Sequence, residues 1–281
     1  MKQKLDNYFH ITERGSSIST ELIAGLTTFA TMAYILAYMT SAMSAAPGVN
    51  ITGVLLCTAF VTAVSSFLSG TIANLPIAMA PVLVIPNLVA GLIADGTSYG
   101  VAFGTVFISG LIFLLISVFK LRDMFTKSLP KNIKIGIGGA VGLLIARIGL
   151  NSCGLITEGM SGFGDLSNPA VQLSLIGLAI ALFLTYIRID INGRKYKIKG
   201  ALIISIVATT IIGIPMGVVT FPKNIFTTGA LSAMADVAFK VDVLGALRLE
   251  YIPFIIMLLV NDFFGTLGTG LAMANKCGLL D

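Results

Sequence analysis

The chain has 281 residues, of which 56% are hydrophobic and only 11% charged, and its mean hydropathy is +0.95. A soluble domain carries about 25% charged residues, so a soluble enzyme, a nucleic-acid binder and a disordered chain are excluded. The net charge of +5 then reports orientation in a membrane rather than a polyanionic partner.

Residues 1–19 form a polar tail with Lys2, Lys4 and the single histidine, His10. Asp6, Glu13 and Arg14 interrupt it, so it does not read as a signal peptide. From 22 to 94, 73 residues pass without one Asp, Glu, Lys or Arg. At about 20 residues per span this tract crosses a bilayer three times, at 20–42, 51–72 and 76–94. Further spans follow at 100–119, 135–150, 170–187, 200–220 and 251–273, with an Asn-Ser-Cys-Gly loop after 150. The segment 221–250 is too long for a tight turn and mixes Lys223, Asp236, Lys240, Asp242, Arg248 and Glu250. It reads as an extracytoplasmic connection carrying an amphipathic helix on the surface. The fold class expected is an all-α polytopic membrane protein of eight spans.

The loops fix the orientation. The loop after the fourth span carries Lys120, Arg122, Lys127, Lys131 and Lys134 against Asp123. The loop after the sixth carries Arg188, Arg194, Lys195, Lys197 and Lys199 against Asp190, whereas 151–169 carries Glu158 and Asp165 and no base. Basic loops stay inside, which puts the N-terminus in the cytoplasm; the membrane expected is the plasma membrane.

Cys57, Cys153 and Cys277 lie at unrelated spacings, and neither a metal pattern nor a disulfide framework follows. With no nucleophile–base pair and no phosphate loop, the residues point to neither an enzyme nor a cofactor.

Polar groups inside spans carry the functional reading. Span three and its approach read Asn74-Leu-Pro76-Ile-Ala-Met-Ala-Pro81-Val-Leu-Val-Ile-Pro86-Asn87. Pro81 and Pro86 each lack an N–H and clash with the carbonyl four residues back. Broken backbone in a bilayer is tolerated where protein or a wet cavity satisfies it, and discontinuous helices border the solute in transporters. The alternative is a proline kink that serves packing.

Span eight contains Asn261-Asp262-Phe-Phe-Gly265-Thr266-Leu-Gly268-Thr269-Gly270. A carboxylate in a span costs about 2.5–3.5 kcal/mol and normally faces a cavity, and Asp262 and Thr266, four apart, share a helical face. The alternative is a packing seam. Arg147 in span five reads as a snorkelling residue, and Gly138 with Gly142 as a close-packing G-x-x-x-G. In span one, Thr27, Thr31 and Tyr34 share a face, which either lines a path for a planar polar solute or holds threonines bonded to their own backbone.

Together these stretches resemble the azaguanine/hypoxanthine-type purine permeases of the nucleobase–cation symporter family. The resemblance rests on Thr20-Glu21-Leu-Ile-Ala-Gly-Leu-Thr-Thr-Phe-Ala-Thr-Met-Ala-Tyr-Ile-Leu, Asn74-Leu-Pro-Ile-Ala-Met-Ala-Pro81, Phe107-Ile-Ser-Gly, Asp262-Phe-Phe-Gly-Thr-Leu-Gly-Thr269 and Gly278-Leu-Leu-Asp281. It implies a transporter of two inverted seven-span repeats that takes up purine nucleobases (the adenine, guanine and hypoxanthine class) with a proton. Residues 20–220 would be the first repeat, and 251–281 span eight and the start of the second.

Substrate binding would fall to Thr28, Phe29, Asn87, Asp262 and Thr266, with Asp262 also coupling the proton; no metal or nucleic acid is implied. The sequence departs from the family pattern at Val82, Val84 and Pro86, which replace two glycines and an asparagine, and at Gly265, which replaces a second acid.

A family fold of roughly fourteen spans built as inverted repeats exceeds what eight supply. The expectation is then a truncated product, or a chain that acts as a homo-oligomer or with a complementing C-terminal chain. The competing functions are an anion carrier of the same architecture and a non-transporting membrane subunit.

Overall fold

The computed structural model describes residues 2–128, 130–157, 162–191, 194–197, 200–219 and 229–276. Glu158, Lys199, Lys223, Cys277 and the stretch 278–281 lie outside the described residues, as does 221–228 of the connecting segment.

The elements in order are α1 (Lys2–Phe9), α2 (Ile18–Met32), α3 (Tyr34–Met43), α4 (Ile51–Thr71), α5 (Val84–Ala94), α6 (Tyr99–Val118), α7 (Leu121–Ser128) and α8 (Lys131–Ser152). Then come α9 (Pro169–Tyr186), β1 (Arg188–Ile191), β2 (Arg194–Lys197), α10 (Ala201–Gly213), α11 (Ala230–Val237), α12 (Val243–Ala246) and, after a 3-10 turn at Leu249–Tyr251, α13 (Ile252–Lys276).

Five helical stretches are long and apolar enough to cross a bilayer: Ile18–Met43, Ile51–Thr71, Tyr99–Val118, Pro169–Tyr186 and Leu249–Leu271. Three shorter apolar helices, Val84–Ala94, Gly136–Ser152 and Ala201–Gly213, fall where the remaining three spans were expected. The chain is thus a multi-pass helical membrane protein. Its exposed large side chains, such as Phe60, Phe67, Leu143 and Phe183, suit a lipid-facing surface, where hydrophobic groups need no cover.

Helix ends follow local sequence. Ser17 accepts from the Thr20 N–H, Ser98 from the Val101 N–H and Asn168 from the Ala170 N–H, with Pro169 opening α9. Each side chain satisfies an orphan donor at a helix start.

One departure from the all-α expectation is the antiparallel pair β1–β2, with Ile191 opposite Arg194. Another concerns α8, which runs on through Ser152, where an Asn-Ser-Cys-Gly loop was expected.

The structure divides into two compact units. In one, comprising 1–34, 68–78 and 147–227, α9 packs along α10 and α2 touches α10. Close approach is built on small residues: a Cβ at Gly177 would lie 2.8 Å from Thr209 Oγ1, and one at Gly213 would lie 2.7 Å from Leu173 Cδ2.

The other unit comprises 35–67, 79–146 and 228–281. Its core joins Met43, Ala46, Val54, Val89, Ala90, Ile93, Ala102 and Val237, and a second cluster joins Ile108, Ala246 and Ile255. Here the segment 229–251 departs from the expected surface helix. It folds as α11 and α12, pressed onto α4 and α6. A Cβ at Gly53 would strike the Ala233 carbonyl, and one at Gly104 the Asp242 carbonyl. Polar contacts complete the seam: Asp242 N–H donates to the Gly100 carbonyl at 2.9 Å, Tyr99 Oη to the Val237 carbonyl at 3.3 Å, and Asn50 Nδ2 to Asp236 at 3.1 Å. Glycines on α4 and α6 leave notches, and the segment fills them.

Candidate functional site

Span three is half a helix. Residues 74–82 have no regular structure and α5 begins only at Val84. The break falls at Pro81, whereas Pro86 does not break the chain as expected. Pro86 stands in the first turn of α5, where a backbone N–H has no intrahelical partner to lose. The extended stretch is held by Ser66 of α4, whose hydroxyl accepts from the Met79 N–H at 2.9 Å and donates to the Met79 carbonyl at 3.3 Å. Backbone left open inside a bilayer needs such a partner. Ser66 is a residue that sequence reading missed, because the bond carries no spacing signal.

Helix α5 itself is anchored by Val89 and Ala90, 1% and 2% exposed. Asn87 projects from this anchored turn with an exposed side chain, and its Nδ2 donates to Tyr38 Oη of α3 at 2.6 Å. Both residues belong to the same unit.

In that unit α13 carries Asp262 and Thr266, both half-buried. Thr266 Oγ1 donates to Asp262 Oδ1 at 3.4 Å, so the expected i,i+4 pairing is formed. Phe263 sits edge-on to Phe113 of α6, ring centroids 6.5 Å apart, and fixes that stretch of α13 against its neighbour.

Gly265 faces the broken arm: a Cβ there would meet Val82 Cγ1 at 3.7 Å, an ordinary contact. Val82 and Gly265, both positions where the resemblance implies another residue, therefore lie against each other. One turn further on, Gly268 lets α13 close on α8, where a Cβ would lie 2.7 Å from Val141 Cγ2 and 3.1 Å from Ile137 Cγ2. The close-packing glycine is thus on α13, and Gly142 of the expected G-x-x-x-G faces open space.

Thr28 and Phe29 belong to α2 in the other unit. Thr28 Oγ1 donates to the Ala24 carbonyl at 3.0 Å, Thr27 Oγ1 to the Ile23 carbonyl at 2.7 Å and Thr31 Oγ1 to the Thr27 carbonyl at 2.9 Å. The plainer of the two readings of this face describes their protons, since each is committed to the helix's own backbone. Their lone pairs remain able to accept. Phe29 is 69% exposed, a ring free to stack on a flat solute. Arg147 is exposed and forms no ion pair among the described residues. A shallow cavity of about 300 Å³ between α9 and α10, lined by Leu173, Gly177, Ser205 and Thr209 among others, contains none of the expected site residues.

Outside the spans, two carboxylates are tied into turns. Asp165 accepts from Ser167 Oγ at 2.7 Å and from the Ser167 N–H at 2.9 Å. Asp6 accepts from Thr12 Oγ1 and N–H, each at 2.7 Å. These bonds hold both carboxyls below their ordinary value, because they favour the charged form.

Among known proteins, the chain is 33% identical to a permease-named protein of Methanocaldococcus jannaschii over 99% of this chain and 62% of the relative. It is 29% identical to the adenine permease AdeP of Escherichia coli, over 99% of this chain and 60% of that one. It is 31% identical to the guanine/hypoxanthine permease PbuO of Bacillus subtilis, over 97% and 62%. The chain thus spans about three-fifths of the length of the curated relatives it matches. No solved structure matches it. Residues 19–281 match the model of the Permease family, a family of transporters rather than enzymes. The chain belongs to the Permease family.

Proposed function

We propose that this chain carries the nucleobase-handling part of a proton-coupled purine transporter of the plasma membrane. The observation that supports it most is the match of residues 19–281 to the Permease family by a chain whose relatives include adenine and guanine/hypoxanthine permeases. The local geometry suits the role. Asp262 and Thr266 offer a carboxylate and a hydroxyl on one turn of α13, and Gly265 of that turn lies against Val82, at the end of the arm that leads into α5. A purine presents ring nitrogens and N–H groups in one plane, which needs a few placed polar partners in an apolar setting. In this reading Asp262 accepts from a ring N–H or holds the coupled proton, and Thr266 and Asn87 add hydrogen bonds; Thr28 and Phe29, on the other unit, keep the substrate-binding role that the resemblance implies.

Residues 20–220 would be the first of two inverted repeats and 251–281 the opening of the second, eight spans in all, with the tail 1–19 cytoplasmic and 221–250 outside. The remaining spans would come from further chain or from a partner subunit, as a homo-oligomer or a complementing C-terminal chain.

Uptake of radiolabelled adenine, guanine and hypoxanthine into vesicles at imposed pH gradients tests the reading. Uptake should rise with an inward proton gradient, and Asp262→Asn should abolish that rise. Equal gradient-driven uptake by both proteins would remove Asp262 from the mechanism. Transport of sulfate or bicarbonate with no effect of purines would replace this reading with the anion carrier.

A further inference from the structure

The geometry points to Tyr38 as a positioning residue for Asn87, one that decides which end of the Asn87 amide a solute meets. The inference rests on the purine-transport reading and adds a specificity element to it.

The amide of Asn87 has two donors on Nδ2 and an acceptor, Oδ1, held in one plane. Nδ2 is bonded to Tyr38 Oη at 2.6 Å. That bond takes one of the two donors, and planarity fixes the direction of Oδ1 with it. The two residues stand 49 positions apart, so the bond is tertiary and ties α3 to α5 within one unit.

The turn beneath Asn87 is already fixed. Pro86 before it and Val89 after it are buried, and the amide torsion is the freedom that remains. A phenol that holds one of the two Nδ2 donors removes that freedom, and the amide oxygen is fixed as an acceptor for a solute. A site that presents an acceptor favours solutes with a ring N–H or an exocyclic amine, and disfavours analogues whose N–H is methylated, because the acceptor covered by the bound solute then goes unpaired.

The experiment uses the protein in lipid nanodiscs, as wild type, Tyr38→Phe, Asn87→Ala and the double variant. Two readouts are taken: the side-chain amide NMR resonances of Asn87 without ligand, and the binding of adenine, hypoxanthine and their N-methylated analogues. Tyr38→Phe keeps the ring and removes only the hydroxyl. It should move the Asn87 resonances. It should also weaken binding of the N–H-bearing bases by about fivefold, within the roughly two- to thirteenfold that one net hydrogen bond contributes, and narrow their preference over the methylated ones. In the Asn87→Ala background it should change binding less than about twofold, the mark of coupling through that side chain.

Unmoved Asn87 resonances overturn the proposal. So does an equal loss of affinity from Tyr38→Phe in both backgrounds, even while wild type binds nucleobases normally. Wild-type protein that binds none of the bases overturns the purine-transport reading, and this refinement falls with it.

Discussion

The Ser66 hydroxyl is bonded twice to one residue, Met79, accepting from its N–H at 2.9 Å and donating to its carbonyl at 3.3 Å. A single side chain on an intact helix thus satisfies both backbone groups at one point of the extended arm. Ser66→Ala should lower stability by about 1–3 kcal/mol, the cost of stranding such groups, and Ser66→Thr should restore most of it. Thermal unfolding in detergent checks both. A Ser66→Ala protein that melts with wild type would mean that the arm is held by something else.

The notch at Gly53 makes a second prediction. Gly53→Leu places a side chain where the Ala233 carbonyl and Val237 Cγ2 now sit, so α11 must lift from α4. Cys57, one turn along α4, points its thiol at the Met234 carbonyl 3.8 Å away. Its labelling by a membrane-permeant maleimide should be slow in wild type and at least several-fold faster in Gly53→Leu. Gly25→Leu, where a Cβ meets no neighbour, is the control and should leave the rate unchanged.

Two glycines three residues apart on α13 should respond oppositely to the same change. Gly265→Ala adds a methyl at ordinary distance from Val82, 3.7 Å, and gains up to about 1 kcal/mol of helix propensity. Gly268→Ala drives the same methyl to 2.7 Å from Val141 Cγ2 and should cost about 1–3 kcal/mol as overpacking. Melting temperatures should therefore rise or hold for the first and fall for the second. A shared direction would contradict the packing of α13 against α8.

The turn at Asp165 sets a pH dependence. Its carboxyl is held below the ordinary 3.8, first by the Ser167 hydroxyl and then by the Ser167 N–H. A depressed folded value means that the contribution is complete above the unfolded value. It is lost as pH falls through the lower, folded one. Protection of the Ser167 amide from hydrogen exchange should be flat at neutral pH and drop only below about pH 4. Asp165→Asn should remove the pH dependence and weaken the protection throughout. A protection factor that declines between pH 7 and 5 would exclude the carboxylate as its source.

Much of the architecture was legible from hydropathy, because a bilayer demands long apolar helices and excludes charge. The charge-free tract from 22 to 94 resolves into α2 with α3, α4 and the arm with α5. The break at Pro81 was legible too, since proline has a local cost. Pro86 misled, because the same residue is harmless in a first turn, and where that turn begins is decided by tertiary contacts. The connector misled for a different reason. Its charges suggested a solvated surface, yet Asp236 and Asp242 use their polar groups to cap and tie short helices while Val237 and Ala246 go inward. Site pairings across long separations, Asn87 with Tyr38 and Val82 with Gly265, left no mark in the spacing. The Asp262–Thr266 pair did, because it lies within one helix.

The glycine notches of α4 and α6 also have a consequence in time. Their filling comes from residues 229–251, synthesised just over a hundred positions after α6. At about 5–20 residues per second, the ribosome delivers that filling on the order of ten seconds after the grooves enter the membrane. During that interval the grooves stand open beside the insertion machinery. A nascent chain paused before residue 229 would therefore present them to a chaperone, or to the degradation machinery that surveys unfinished membrane proteins.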